Sequence, residues 1–267
     1  MRALEQITRP TLFLDTNALH YMFSYLRYAK DLGLPPYKEK NWDEAKEALR
    51  NKLPRKITDN IMNGAKTLAF LQKQTQEQEA AIYTSRFAKS EILCGSFEGL
   101  AHARLAREGT IYRMRQPLET LSELVSMYLE ASDSENVVRE WDEMLSLLEE
   151  KDRIIIEFAE NDTNFRQIAD IAEFLQSKVF VDVLDSWMYG CAFAIQADQV
   201  ITFDHYFRKI INKLANPSGD EDWENLKNEM FDRLQGLFGV VDVEIGISFP
   251  YSPRPNKLPK EVPKVWR

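Results

Sequence analysis

The sequence predicts an α/β protein, a three-layer α/β/α sandwich around a central parallel sheet with a helical insertion. Three observations lead there. Short apolar runs at 11–14, 80–84 and 199–203 have the length of buried strands. Each precedes a stretch with helical periodicity, which implies parallel pairing through right-handed crossovers. Finally, Asp15 and Asp204 end strand-like runs while Glu91 and Asp185 open helix-like runs, as happens when a parallel sheet collects carboxylates at one edge.

The elements follow in order. The run TLFL is a strand, and Asp15-Thr16-Asn17 supplies the turn and N-cap of a helix over 18–30. Gly33, Pro35 and Pro36 break that helix, and two polar helical segments at 43–52 and 58–76 read as an inserted hairpin. A second strand, 80–84, is followed by Ser85, placed to cap a helix that carries Glu91 toward Arg107. Periodicity at 118–131 and 134–151 predicts a packed helix pair, with Val138, Trp141, Leu145 and Leu148 on one stripe. Residues 153–158 are β-like, and 164–176 are helical. A helix over 183–197 presents Val183, Leu184, Trp187, Met188 and Cys191 on a broad apolar face, predicting burial against the sheet. Then come a strand at 199–203, helices at 206–214 and 223–237, and a last strand at 240–247. The expected organisation is one domain over 1–250 with helical insertions near 32–76 and 109–176, and a proline-rich basic tail over 251–267.

Composition narrows the function classes. Hydrophobic residues at 44% and charged residues at 28% fit a globular protein and argue against disorder. The most apolar stretch, 179–203, is interrupted by Asp182, Asp185 and Asp198, which excludes a bilayer span there. The opening MRALEQITRP has no apolar signal core, so the expected location is cytoplasmic. Two cysteines, Cys94 and Cys191, lie in helix-like apolar patterns, and the three histidines lack metal-pair spacing, so zinc hydrolase chemistry is a poor fit. The net charge of −8 argues against a broad nucleic-acid groove, although basic residues cluster at 46–56, at 104–115 and in the tail.

The acids carry the chemistry. Successive strand ends point to one edge of a parallel sheet, so Asp15 and Asp204 meet there. Glu91 and Asp185, each in the first turn of a following helix, point into the same space. Asp182, three residues before Asp185, is a fifth acid or a substitute fourth. Such a cluster is costly unless a cation neutralises it, and oxygen-only ligands select Mg²⁺ or Mn²⁺. A hard cation of that kind supports phosphodiester hydrolysis. A strand ending in Asp-x-Asp would suggest a phosphoaspartyl phosphatase instead, but residue 17 is Asn, so that class lacks its general acid.

The stretches LFLDTNAL, SRFAKSEILCG and DSWMYGCAFAIQADQVITFDHYF resemble the three acidic motifs of the PIN-domain nucleases, over roughly half of the chain. The resemblance implies that Asp15, Glu91, Asp185 and Asp204 bind one or two Mg²⁺ or Mn²⁺ ions. It also implies Asn17 and Thr202 in supporting polar positions, and an endoribonuclease in which a metal-held water cuts RNA, leaving 5′-phosphate and 3′-hydroxyl ends. Many members are toxins, so the partners it implies are an RNA substrate, a protein partner or antitoxin, and a second copy of the chain. Two rival readings stand beside it: a DNA nuclease acting on structured substrates with the same acids, and a non-catalytic interaction module or partner-inhibited toxin. The aromatic residues Trp187, Tyr189, Phe193 and Phe203 are expected in the core. Contact of Tyr37, Trp42 and Arg55 on the insertion with substrate is the lesser alternative there, and the insertion is expected to form a cap over or beside the acidic edge.

Overall fold

A computed structural model describes residues 9–34, 37–107, 129–204, 219–238 and 246–247. It is an α/β protein with an all-parallel sheet of order β3-β2-β1-β4-β5, where β1 is Thr11–Leu14, β2 Ala81–Thr84, β3 Ile156–Phe158, β4 Gln199–Ile201 and β5 Gly246–Ile247. β1 lies between two neighbours. That is why Leu12, Phe13 and Leu14 are all buried and why the run is continuously apolar rather than alternating.

Helices fill the connections. α1 (Thr16–Leu32), α2 (Trp42–Arg50) and α3 (Arg55–Gln78) lie between β1 and β2. α4 (Arg86–Arg107) and α5 (Ala131–Asp152) lie between β2 and β3, and α6 (Ala159–Asp162), α7 (Phe165–Lys178) and α8 (Val183–Ala194) between β3 and β4. α9 (Glu221–Phe238) precedes β5. α1 packs on α3 and α4, and α4 on α5, whereas α7 packs on α8 and α9. These two groups are compatible with helical layers on either side of the sheet. Among the described residues, no helix is long and apolar enough to cross a membrane.

The connections from β1 run to β2 and β3 on one side, then cross to β4 on the other. The chain therefore diverges between the carboxyl ends of β1 and β4, and a parallel sheet opens its crevice at that point. Asp15 follows β1 directly, and Asp204 lies three residues past β4. At the opposite end the same two strands are tied by Asp198, whose carboxylate accepts from Thr11 N at 2.6 Å while its own N–H donates to Thr11 O at 2.8 Å.

Several expectations need correction. Residues 55–78 are no cap over the acidic edge. α3 lies along α1 and buries Ile61, Met62, Ala65, Leu68 and Leu71 in the main core. Gly64 makes this approach geometric, because a Cβ there would stand 1.9 Å from Tyr21 O. Tyr37 and Trp42 also pack internally, with Trp42 Nε1 donating to Tyr37 O at 3.1 Å. The strand expected over 153–158 holds only at Ile156–Phe158. Arg153, at φ +57°, caps α5 in the left-handed region, and the N–H groups of Arg153 and Ile154 close its last turn on Glu149 O and Leu148 O. The second expected insertion, 109–176, thus contains a strand of the central sheet. On α5 the buried stripe is Val137, Trp141 and Leu148. On α8, Val183 and Leu184 are exposed rather than buried, since burial begins at Ser186.

The helix expected at 118–131 and the strand at 240–247 fall mostly outside the described residues. The helix at 206–214 and the tail at 251–267 lie entirely outside them.

α7 and α8 pack closely because Gly190 faces Ile168, where a Cβ would stand 2.8 Å from Ile168 O. Gly190→Ala is expected to cost about 1–3 kcal/mol through forced separation of the two helices, measurable as a lower urea midpoint with unchanged m-value. An unchanged midpoint would show that the contact yields without strain.

Candidate active site

Asp15 is placed by backbone geometry before any function is considered. Its extended φ and ψ end β1, its N–H donates to Ile201 O on β4 at 3.1 Å, and its Oδ1 accepts from Thr16 N at 2.6 Å as α1 begins. Thr202 Oγ1 donates to Asp15 Oδ2, linking residues 187 positions apart, and accepts from Asp204 N at 3.0 Å. Asn17 Oδ1 accepts from Phe203 N at 2.8 Å. These bonds end β4 at Ile201 rather than at 203, because the N–H groups of Phe203 and Asp204 turn to side chains instead of a neighbouring strand. Asn17 and Thr202 therefore set where Asp204 stands relative to Asp15.

The second motif is built the same way. Ser85 Oγ accepts from Ala88 N at 2.9 Å and caps α4, which starts at Arg86 and so puts Glu91 in its second turn rather than the expected first, lining the cleft. In the third motif Asp182 is the N-cap of α8. Its Oδ1 accepts from Asp185 N at 3.0 Å, so one acid orients the start of the helix that carries the other.

All six acidic positions of this edge line one open cleft of about 780 Å³: Asp15, Glu91, Asp182, Asp185, Asp204 and Glu98. Among the described residues, no Lys or Arg lines it. Glu98 is the acid that sequence reasoning missed. Its signal was there, since it lies seven residues after Glu91 and so on the same face of α4. Asn17 also lines the cleft, whereas Thr202 is fully buried behind Asp15.

The electrostatics follow from this crowding. Burial pushes the Asp15 carboxyl up to about 7. The hydrogen bonds from Thr202 and Thr16 oppose that rise, and Glu91 and Asp204 reinforce it. Asp185 is pushed up to about 8, first by burial, then by Asp182, then by Asp15 and Asp204. Burial and the charges of Asp15 and Asp185 hold the Tyr189 hydroxyl well above its ordinary range.

The acids line one wall without forming a ready-made ligand set. Among the described residues, no group of three or more His, Cys, Asp and Glu side chains is arranged to hold a metal ion. The donor chemistry nevertheless fits a hard divalent cation: every charged donor is a carboxylate, neighbouring acids reinforce the upward shifts of Asp15 and Asp185, and among the described residues no Lys or Arg shares the wall, where burial holds the His20 imidazole below its ordinary pKa.

Thr202→Val tests the positioning directly. Loss of its donated bond is expected to push Asp15 higher still and to weaken Mn²⁺ binding about 10- to 100-fold at pH 7, with part of the loss recovered at pH 9. Equal affinity in variant and wild type would remove Thr202 from the site.

The basic stretches are partly engaged elsewhere. Lys46 and Arg55 both reach Asp59, at 3.2 and 3.7 Å, and Arg104 pairs with Asp133 at 2.8 Å. Comparison of the chain with family models, with curated proteins and with solved structures returned no match.

Proposed function

We propose that the protein is a metal-dependent endoribonuclease of PIN-like architecture. The observation that carries this reading is a cleft at the sheet's switch point whose wall holds six carboxylates and, among the described residues, no Lys or Arg. The oxygens of Asp15, Glu91, Asp185 and Asp204 would hold Mg²⁺ or Mn²⁺, with Asp182 and Glu98 alongside. When bound, such a cation lowers the pKa of water and stabilises the charge that develops on a phosphoryl oxygen.

The chain's own part is positioning. Thr202 and Thr16 hold the two oxygens of Asp15 in fixed directions, so this carboxylate needs little reorganisation on binding. Asn17, through Phe203 N, and Thr202, through Asp204 N, fix the turn that presents Asp204. Asp182 holds the first turn of α8 and thereby the direction of Asp185. Asp15 and Asp185 must lose their protons before they can serve as ligands, so binding and hydrolysis should rise as pH passes through about 7 to 8.

A digest of end-labelled RNA and DNA of one sequence, with Mn²⁺ and then with EDTA, tests the reading. The expected result is cleavage of RNA alone, leaving 5′-phosphate ends and stopping in EDTA. Cleavage of DNA but not RNA would transfer the activity to the DNA rival, and cleavage of neither would sink it.

A further inference from the structure

We infer that Phe87, Trp187 and Phe165 form a stacking platform for an unpaired nucleobase, with Arg86 at the same edge for the adjoining phosphate. The inference rests on the phosphodiester reading of the neighbouring cleft and names the kind of strand that enters it.

The row begins inside the cleft. Phe87 lines it together with Glu91, one helical turn further along α4. Its ring lies 5.4 Å from that of Trp187 at 34°, and Trp187 stacks on Phe165 at 5.1 Å and 29°. The last ring is 64% exposed, so the row ends in solvent. Local structure does not require an aromatic there. Phe165 opens α7, whose cap is already supplied by Asn164 Oδ1 accepting from Arg166 N at 2.9 Å. Exposed Leu184, which also lines the cleft, continues the apolar surface from the row to the acids.

Charge favours a polyanion at this edge. A nucleic-acid strand approaching the carboxylate wall meets repulsion unless cations flank it. The Arg86 guanidinium is exposed and steadied by neutral groups, donating to Asn161 Oδ1 at 2.9 Å and lying 5.0 Å from the Phe158 ring centre. Glu160 is near, but its Oε1 accepts from the main-chain N–H of Arg86. Among the described residues, neither Arg86 nor the exposed Arg166 has an ion-pair partner. Flat aromatic faces beside unneutralised guanidinium groups suit a base with its phosphate, and a base in a duplex cannot offer its face.

The test measures binding separately from cleavage. The full chain, with Ca²⁺ in place of Mg²⁺ or Mn²⁺, is titrated into a uridine octamer carrying one 2-aminopurine, and into the same strand in duplex. Wild type should quench the aminopurine and prefer the single strand. Phe165→Ala should weaken binding about five- to twentyfold, with Phe165→Tyr restoring it. Arg86→Gln should lower the slope of affinity against salt by about one. Circular dichroism verifies that each variant is folded.

Wild-type affinity retained in folded Phe165→Ala would overturn the platform, as would equal binding of duplex or no binding by wild type. So would a wild-type dimer that Phe165→Ala dissociates without changing oligonucleotide affinity, which assigns the surface to a second copy. Intact stacking with no cleavage in Mn²⁺ leaves the platform and removes the nuclease, whereas cleavage with Phe165 irrelevant to binding does the reverse.

Discussion

Replacing Asp15 with Asn is expected to lower Mn²⁺-dependent cleavage by roughly 10³-fold or more, since a ligand charge worth several kcal/mol disappears. The same change should stabilise the metal-free fold at pH 8. The Asp15 carboxyl sits at about 7 in the folded chain against an ordinary value of 3.8. Between those values the folded state binds more protons than the unfolded one, so this group's contribution falls as pH rises and reaches its full penalty above about 7. Removing the charge removes the penalty. Offset by the lost bond from Thr202, the net gain is about 1–3 kcal/mol at pH 8, and it fades toward pH 4. Melting curves at pH 4, 6 and 8 check this: the variant should gain on wild type with rising pH. A variant that loses stability at every pH would mean that Asp15 serves the fold as a cap and is not held there at a cost.

The second large effect concerns the core. Gly64→Ala would press a Cβ to 1.9 Å from Tyr21 O, 2.3 Å from Tyr21 C and 2.8 Å from Met22 N, all main-chain atoms of α1. Backbone in mid-helix cannot step aside as a flexible side chain can, so α3 must move away from α1. The helices would separate at Met22, Met62 and Ala65, all buried. We expect a loss of about 3 kcal/mol or more, with a Tm roughly 5–10 °C lower. Asp15 caps the start of α1, so cleavage should fall as well, though less than in Asp15→Asn. A Tm within 1 °C of wild type would contradict the packing of α3 into the main core and return it to the role of a peripheral cap.

What could be read in advance was what the chain declares locally. Thr11–Leu14 with Asp15, and Ser85 after Thr84, each pair a buried run with a capping side chain within a few residues, and both strand ends came out where those caps require. The gathering of Asp15, Glu91, Asp182, Asp185 and Asp204 around one cleft was expected from parallel topology together with the resemblance of the three acidic stretches.

What was missed depends on distant partners. β4 stops at Ile201 because Asn17 and Thr202 capture the N–H groups of Phe203 and Asp204, and the bond to distant Asn17 has no pattern within 199–204 to announce it. Three isoleucines in a row at 154–156 read as strand, but the αL cap that α5 needs consumes the first part of the run. α3 is polar enough to look peripheral, and its burial at Ile61, Met62, Ala65, Leu68 and Leu71 depends on the fit of Gly64 against α1. Phe165 carries no local signal at all, since its meaning comes from Trp187 and Phe87 on two other helices.

Counting bound Mn²⁺ by the electron paramagnetic resonance of the free ion tests the shared-cation claim most directly. At pH 8.5 wild type should take up one or two ions per chain saturably, at least about tenfold more weakly at pH 6, and Asp15→Asn should lose most of that uptake. Uptake that does not saturate, or that is the same in Asp15→Asn as in wild type, would contradict it.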